Sequence, residues 1–81
     1  MAFKWYGEVY MDAVFHAYQK KYGGGYADFD NALWDEFGLS TMYLDLKSDY
    51  FRLENFIEVF DLNLDEIKAE IAANGYEYIE E

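Results

Sequence analysis

The 81-residue chain contains no cysteine, which excludes a disulfide framework and any thiolate metal site. A chain without disulfides fits a reducing compartment, and a cytoplasmic location is the expectation. Histidine occurs once, at His16, and small hydroxyl side chains occur only as Ser40, Thr41 and Ser48. Nucleophilic catalysis needs an activated Ser, Thr, Cys or Lys beside a base. Ser40 is placed to cap a helix, and His16 falls on the polar side of one, so the chain is expected not to be an enzyme. No apolar run approaches the roughly 20 residues that a helix needs to cross a bilayer. The opening Met1-Ala2-Phe3-Lys4-Trp5-Tyr6-Gly7-Glu8 lacks the apolar stretch of a signal peptide, and no membrane association is expected.

Basic residues are scarce as well: six Lys and Arg stand against seventeen Asp and Glu, for a net charge of −11. The imbalance is not spread evenly. Residues 1–27 hold Lys4, Lys20 and Lys21 against Glu8 and Asp12, whereas residues 28–81 hold Lys47, Arg52 and Lys68 against fifteen carboxylates. Such a surface repels phosphates, so direct nucleic-acid binding is not expected.

Apolar and aromatic residues, by contrast, are plentiful. Hydrophobic residues make up 53% of the chain, enough to build a core without staples in one domain spanning 1–81. Seven Phe, nine Tyr and two Trp amount to 22%. A domain this small cannot cover that many rings, each of which buries about 150–250 Å² when enclosed. Some aromatic surface, tyrosine above all, should remain exposed, and exposed aromatics favour interfaces.

The apolar pattern is helical. Tyr10, Met11, Val14, Phe15, Tyr18 and Tyr22 recur at three- and four-residue steps, with Glu8, Asp12, His16 and Gln19 opposite, which predicts a helix over 8–22. Gly23-Gly24-Gly25 ends it. Asp28 reads as the N-cap of a helix over 29–37 with Phe29, Leu33 and Phe37 inward, closed by Gly38. Ser40 caps the next element, whose stripe of Met42, Tyr43, Leu46, Tyr50, Leu53, Phe56, Ile57 and Phe60 meets no proline or glycine. Residues 41–60 are thus one helix, or two meeting near Ser48-Asp49. Asn63 with Glu66 matches a capping box for a helix over 64–74, closed by Asn74-Gly75. Tyr76-Glu77-Tyr78-Ile79 alternates like a strand, and Phe3-Lys4-Trp5-Tyr6 can pair with it. The expected fold is mainly α, a small bundle of four or five helices with a short two-stranded ribbon formed by the termini. Its core should hold Val14, Phe15, Leu33, Phe37, Leu46, Leu53, Phe56, Ile57, Phe60, Leu64, Ile67 and Ile71.

Several motif outlines fail on chemistry. Asp61-Leu62-Asn63-Leu64-Asp65 opens like a calcium loop, but Glu66 stands where the turn needs glycine and Ala72 where the bidentate glutamate belongs. Asp12 and His16 offer two metal ligands, too few for a site. The three glycines lack the Gly-Lys-Ser/Thr of a phosphate loop. No metal or cofactor is expected. Residues 52–60, the Asp61-Leu62 turn and helix 64–74 have the outline of a helix-turn-helix. The second helix of that outline carries Asp65, Glu66 and Glu70 against one lysine, Lys68, so the charge is inverted for a DNA reader.

The inversion is systematic. Asp45/Asp49, Glu54/Glu58 and Glu66/Glu70 are like-charged i,i+4 pairs, each destabilising a helix by roughly 0.2–0.5 kcal/mol. Carboxylates at that spacing lie about 6 Å apart on one helix face, close to the spacing of successive phosphates. In this acidic character, residues 28–81 resemble the small DNA-mimicking inhibitors of phages and mobile elements, the anti-CRISPR and anti-restriction proteins. The resemblance implies a non-enzymatic decoy whose partner is a nucleic-acid-binding protein with a basic surface, such as a CRISPR or restriction effector. Asp45, Asp49, Glu54, Glu58, Asp65, Glu66 and Glu70 would then form the partner-binding surface. Tyr43, Tyr50, Tyr76 and Tyr78 would add the aromatic contacts. The alternative is a protein–protein adaptor or accessory module with an aromatic-rich interface and incidental acidity. Monomer and homodimer both remain open.

Overall fold

The computed structural model describes residues 6–38, 40 and 46–78, and within these the side chains of all but residue 6 and residues 46–52. It contains four helices: α1 (Tyr6–Tyr22), α2 (Tyr26–Phe37), α3 (Leu46–Val59) and α4 (Leu64–Ala73). The expectation of a mainly helical chain holds. There are four helices and no strand among the described residues. Tyr76–Tyr78 is irregular chain rather than half of a ribbon; the other half, 3–5, lies outside the described residues. Ser40 as a cap and the start of helix 41–60 lie at or beyond the same boundary, but 46–59 is continuous and does not break at Ser48-Asp49.

The ends of the helices follow from local chemistry. Gly23 takes φ +77° and its N–H donates to the Gln19 carbonyl at 2.7 Å, which stops α1 in the left-handed conformation that glycine adopts without strain. The next helix starts three residues earlier than expected. Asp28 is not the N-cap; Gly25 is, and the Asp28 carboxylate reaches back to accept its N–H at 2.9 Å. A carboxylate in the first turn also complements the helix dipole, so Asp28 still anchors the helix start. Two turns close as Schellman motifs. After α3, Leu62 N–H donates to Ile57 O at 2.9 Å and Asp61 N–H to Glu58 O at 3.1 Å, with Asp61 at φ 52°. After α4, Tyr76 N–H donates to Ile71 O at 3.1 Å and Gly75 N–H to Ala72 O at 3.0 Å, with Gly75 at φ 84°. Asn63 caps α4 as expected, its Oδ1 accepting Glu66 N–H at 3.2 Å.

The first helix is the central one, and it packs chiefly against the last. Its apolar stripe is wider than the sequence pattern suggested. Val9, Ala13 and Ala17 are buried along with Tyr10, Met11 and Val14. These three recur every four residues on the side that carries His16 and Lys20, both of which touch α4. The two alanines leave room for α4 to lie against that side.

On the other side of α1 the aromatic residues meet. Phe29 of α2 contacts Phe15 at 5.5 Å, Tyr18 at 5.6 Å and Phe56 at 5.4 Å between ring centroids. Phe56 contacts Phe60 at 4.4 Å. Tilted and edge-on rings at such distances contribute about 0.5–1.5 kcal/mol per pair beyond burial.

Of the expected core, Val14, Leu33, Leu53, Phe56, Ile57, Ile67 and Ile71 are buried, while Phe15, Phe37 and Phe60 pack half-buried against them. Leu46 lies outside the described side chains. Leu64 is a correction, because it is exposed and Leu62 is buried in its place. Leu62 precedes the Asn63 cap and Ile67 sits in the first turn after it. That is the hydrophobic-staple arrangement, which pins the entry of the chain into α4.

Candidate binding surface

Three polar contacts, two of them lysine–carboxylate pairs, run along the seam between α1 and the α3–α4 region. The His16 Nδ1–H donates to Glu70, 2.8 Å from each carboxylate oxygen. Lys20 Nζ pairs with Glu66. Lys21 Nζ donates to both the carbonyl, at 2.9 Å, and the carboxylate, at 3.1 Å, of Asp61. His16 and Lys20 are one turn apart on α1, as Glu66 and Glu70 are on α4, so the antiparallel helices bring the two pairs into register. The like-charged Glu66/Glu70 pair therefore has an intramolecular reason: each carboxylate faces a nitrogen base of α1. These residues are part of the bundle's own seam before they are part of any outward surface.

The other carboxylates of the expected surface divide differently. Glu54 is half-buried and accepts the Tyr78 hydroxyl at 3.3 Å. Glu58 and Asp65 are exposed. The side chains of Tyr43, Asp45, Asp49 and Tyr50 lie outside the described residues. Tyr76 is half-buried, drawn onto the core by the turn that closes α4. Tyr78 is half-buried too, stacked on Tyr10 with centroids 5.4 Å apart and rings 17° from parallel, and Lys68 Nζ lies 5.4 Å from its centroid. Burial raises the pKa of the Tyr78 phenol; a hydrogen bond with Tyr10 opposes this, and the Glu54 charge adds to the rise. The phenol is held neutral, as a donor to Glu54.

Glu54 and Tyr78 border an open groove of about 490 Å³. Ile57, Leu62 and Leu64 form its apolar floor, and Glu58 and Asp61 complete its rim. An apolar floor under carboxylates suits a long cationic side chain, whose stem is apolar and whose head is charged. The exposed Leu64 has its place here.

A second surface was missed in the sequence pattern. On α2, Trp34 is 60% exposed and Tyr26 is 41% exposed. They sit in one row with Asp30, at i, i+4 and i+8, beside exposed Asn31 and Asp35. The signal was present: with Phe29, Leu33 and Phe37 inward, Trp34 is rotated about 100° from that stripe and has to look outward. Tyr22 is half exposed as well, but its hydroxyl donates to Phe60 O at 2.8 Å and its ring meets Phe60 edge-on.

No group of three or more His, Cys, Asp and Glu side chains that would hold a metal ion occurs among the described residues. No helix among them is long and apolar enough to cross a membrane. Comparison with protein-family models, with curated proteins and with solved structures gives no match.

Proposed function

We propose that the chain is a non-enzymatic binding protein whose acidic surface engages a basic partner protein, acting as a decoy for the nucleic acid that the partner binds. What supports this reading is the distribution of the cations. Among the described side chains, Lys20 and Lys21 are engaged with carboxylates along the seam, and Lys68 is engaged with Tyr78. Glu58 on the groove rim and Asp35 and Glu36 at the end of α2 are exposed. Opposite charge on a partner speeds encounter and is screened by salt. The effective acidic surface in this reading is the groove rim together with α2, rather than the Glu66/Glu70 pair.

The test begins with the partner captured from cells and purified. Its affinity for the chain is then measured across an ionic-strength series, with nucleic acid as competitor, for the wild type and for Glu54→Lys/Glu58→Lys. Affinity should fall steeply with salt and with charge reversal, and nucleic acid should compete. An acidic partner, or binding indifferent to salt and to reversal, would instead favour the adaptor reading, which the exposure of Trp34 supports on its own.

A further inference from the structure

We propose that the outward face of α2, centred on Trp34, is a docking surface for an arginine-bearing segment of a partner protein. The inference does not depend on the groove. Trp34 is the most exposed large hydrophobic side chain among the described residues, at 60%. It lies one turn after Asp30 and next to Asp35. The helix that carries it, Tyr26–Phe37, has four carboxylates and no cation. Asp35 and Glu36 occupy its last turn, where the free carbonyls already carry partial negative charge. That end of the helix is uncompensated from within, and Gly38, in the left-handed conformation at φ 66°, closes it without adding a side chain.

Charge selects the occupant. A second copy of the chain would place another acidic α2 face against this one. Nucleic acid and anionic membrane are repelled for the same reason. A cationic partner is attracted, and of the two common cations arginine fits better. Its guanidinium is planar, less strongly hydrated than an ammonium, stacks on an indole face, and can pair with a carboxylate bidentately at the same time. Trp34 with the exposed Asp35 beside it, in the last turn of the helix, offers both contacts.

The experiment titrates the full-length, isotope-labelled chain with a short oligo-arginine peptide, and separately with oligo-lysine, at physiological salt. The readout is the Trp34 indole N–H resonance, identified by its loss in Trp34→Phe. The expected result is a saturable shift of that resonance, with oligo-arginine binding more tightly than oligo-lysine. Trp34→Ala should weaken oligo-arginine binding by roughly two- to fivefold, the factor an exposed cation–π contact supplies. The exposed substitution Asp35→Lys, which leaves the core untouched, should weaken it too. An unmoved Trp34 resonance, equal affinity for the two peptides, or unchanged affinity in Trp34→Ala would overturn the inference. Glu58→Lys separates the two surfaces. If it abolishes binding while Trp34→Ala does not, the groove reading stands and the α2 face is excluded. A Trp34 shift with duplex DNA or with anionic vesicles would also overturn the choice of occupant.

Discussion

At the scale of single residues, two positions carry consequences beyond their neighbours. Gly24 has φ +81°, and a Cβ there would lie 2.5 Å from Asp28 Oδ2, the carboxylate that holds the start of α2. Gly23 has φ +77° but open space around it. Both Gly→Ala variants should cost about 1–2 kcal/mol for the left-handed conformation. Gly24→Ala should cost up to ~1 kcal/mol more, because the capping contact is displaced as well. Denaturant melts of the pair check this, and equal losses would mean that the Asp28 contact contributes nothing. Tyr78 is the second position. Its pKa lies above the ordinary phenol value of 10.0, so the folded state keeps this proton after the unfolded chain has released it. The resulting stability is fully present below that ordinary value and is lost as pH rises through the folded one. In an ultraviolet titration Tyr78 should ionise late, and Tyr78→Phe should diminish the late-titrating absorbance and flatten the alkaline loss of stability. Late-titrating absorbance that is unchanged in Tyr78→Phe would assign it elsewhere.

At the scale of elements, α4 shows what a sequence can disclose. Its cap at Asn63, its inward residues Ile67 and Ile71 and its Asn74-Gly75 ending all follow from local rules, and the structure has each of them. Ile67 is fully buried, and Ile67→Ala should cost about 2–5 kcal/mol in a denaturant melt. A loss below about 0.5 kcal/mol would mean that α4 turns a different face to the core. The start of α2 was misread because an aspartate can hold a helix from the N-cap or from the third position. Only the backbone of Gly25 distinguishes the two. The second stripe of α1 was hidden for another reason. Ala13 and Ala17 are weak signals by hydropathy, and their burial comes from a partner helix about fifty residues further along the chain. Likewise the Glu66/Glu70 pair looked like an unrelieved repulsion until α1 supplied His16 and Lys20 across the seam. The candidate surface was legible as acidity, but which carboxylates look inward was a tertiary fact.

For the whole molecule, charge and packing act on different parts. The net charge of −11 destabilises any compact state through self-repulsion that salt screens. The described ionic contacts are exposed, and each contributes no more than about 0.2–1 kcal/mol. Screening should therefore help more than it harms. The melting temperature should rise with sodium chloride, a gain of 1 kcal/mol corresponding to about 4–8 °C for a domain of this size. Calorimetry over a salt series checks this, and a fall would mean that the seam pairs outweigh the general repulsion. Micromolar, salt-sensitive binding to duplex DNA or RNA in a gel shift would contradict the expectation that the chain avoids nucleic acid. The pairing of the first helix with the last has one more consequence, for a chain made on the ribosome. While α2 and α3 are emerging, α1 can already gather the Phe29 and Phe56 rings on one side. Its Val9–Ala13–Ala17 side must wait for α4, so the nascent chain holds an uncovered apolar strip beside two lysines until residues 64–73 have left the ribosome.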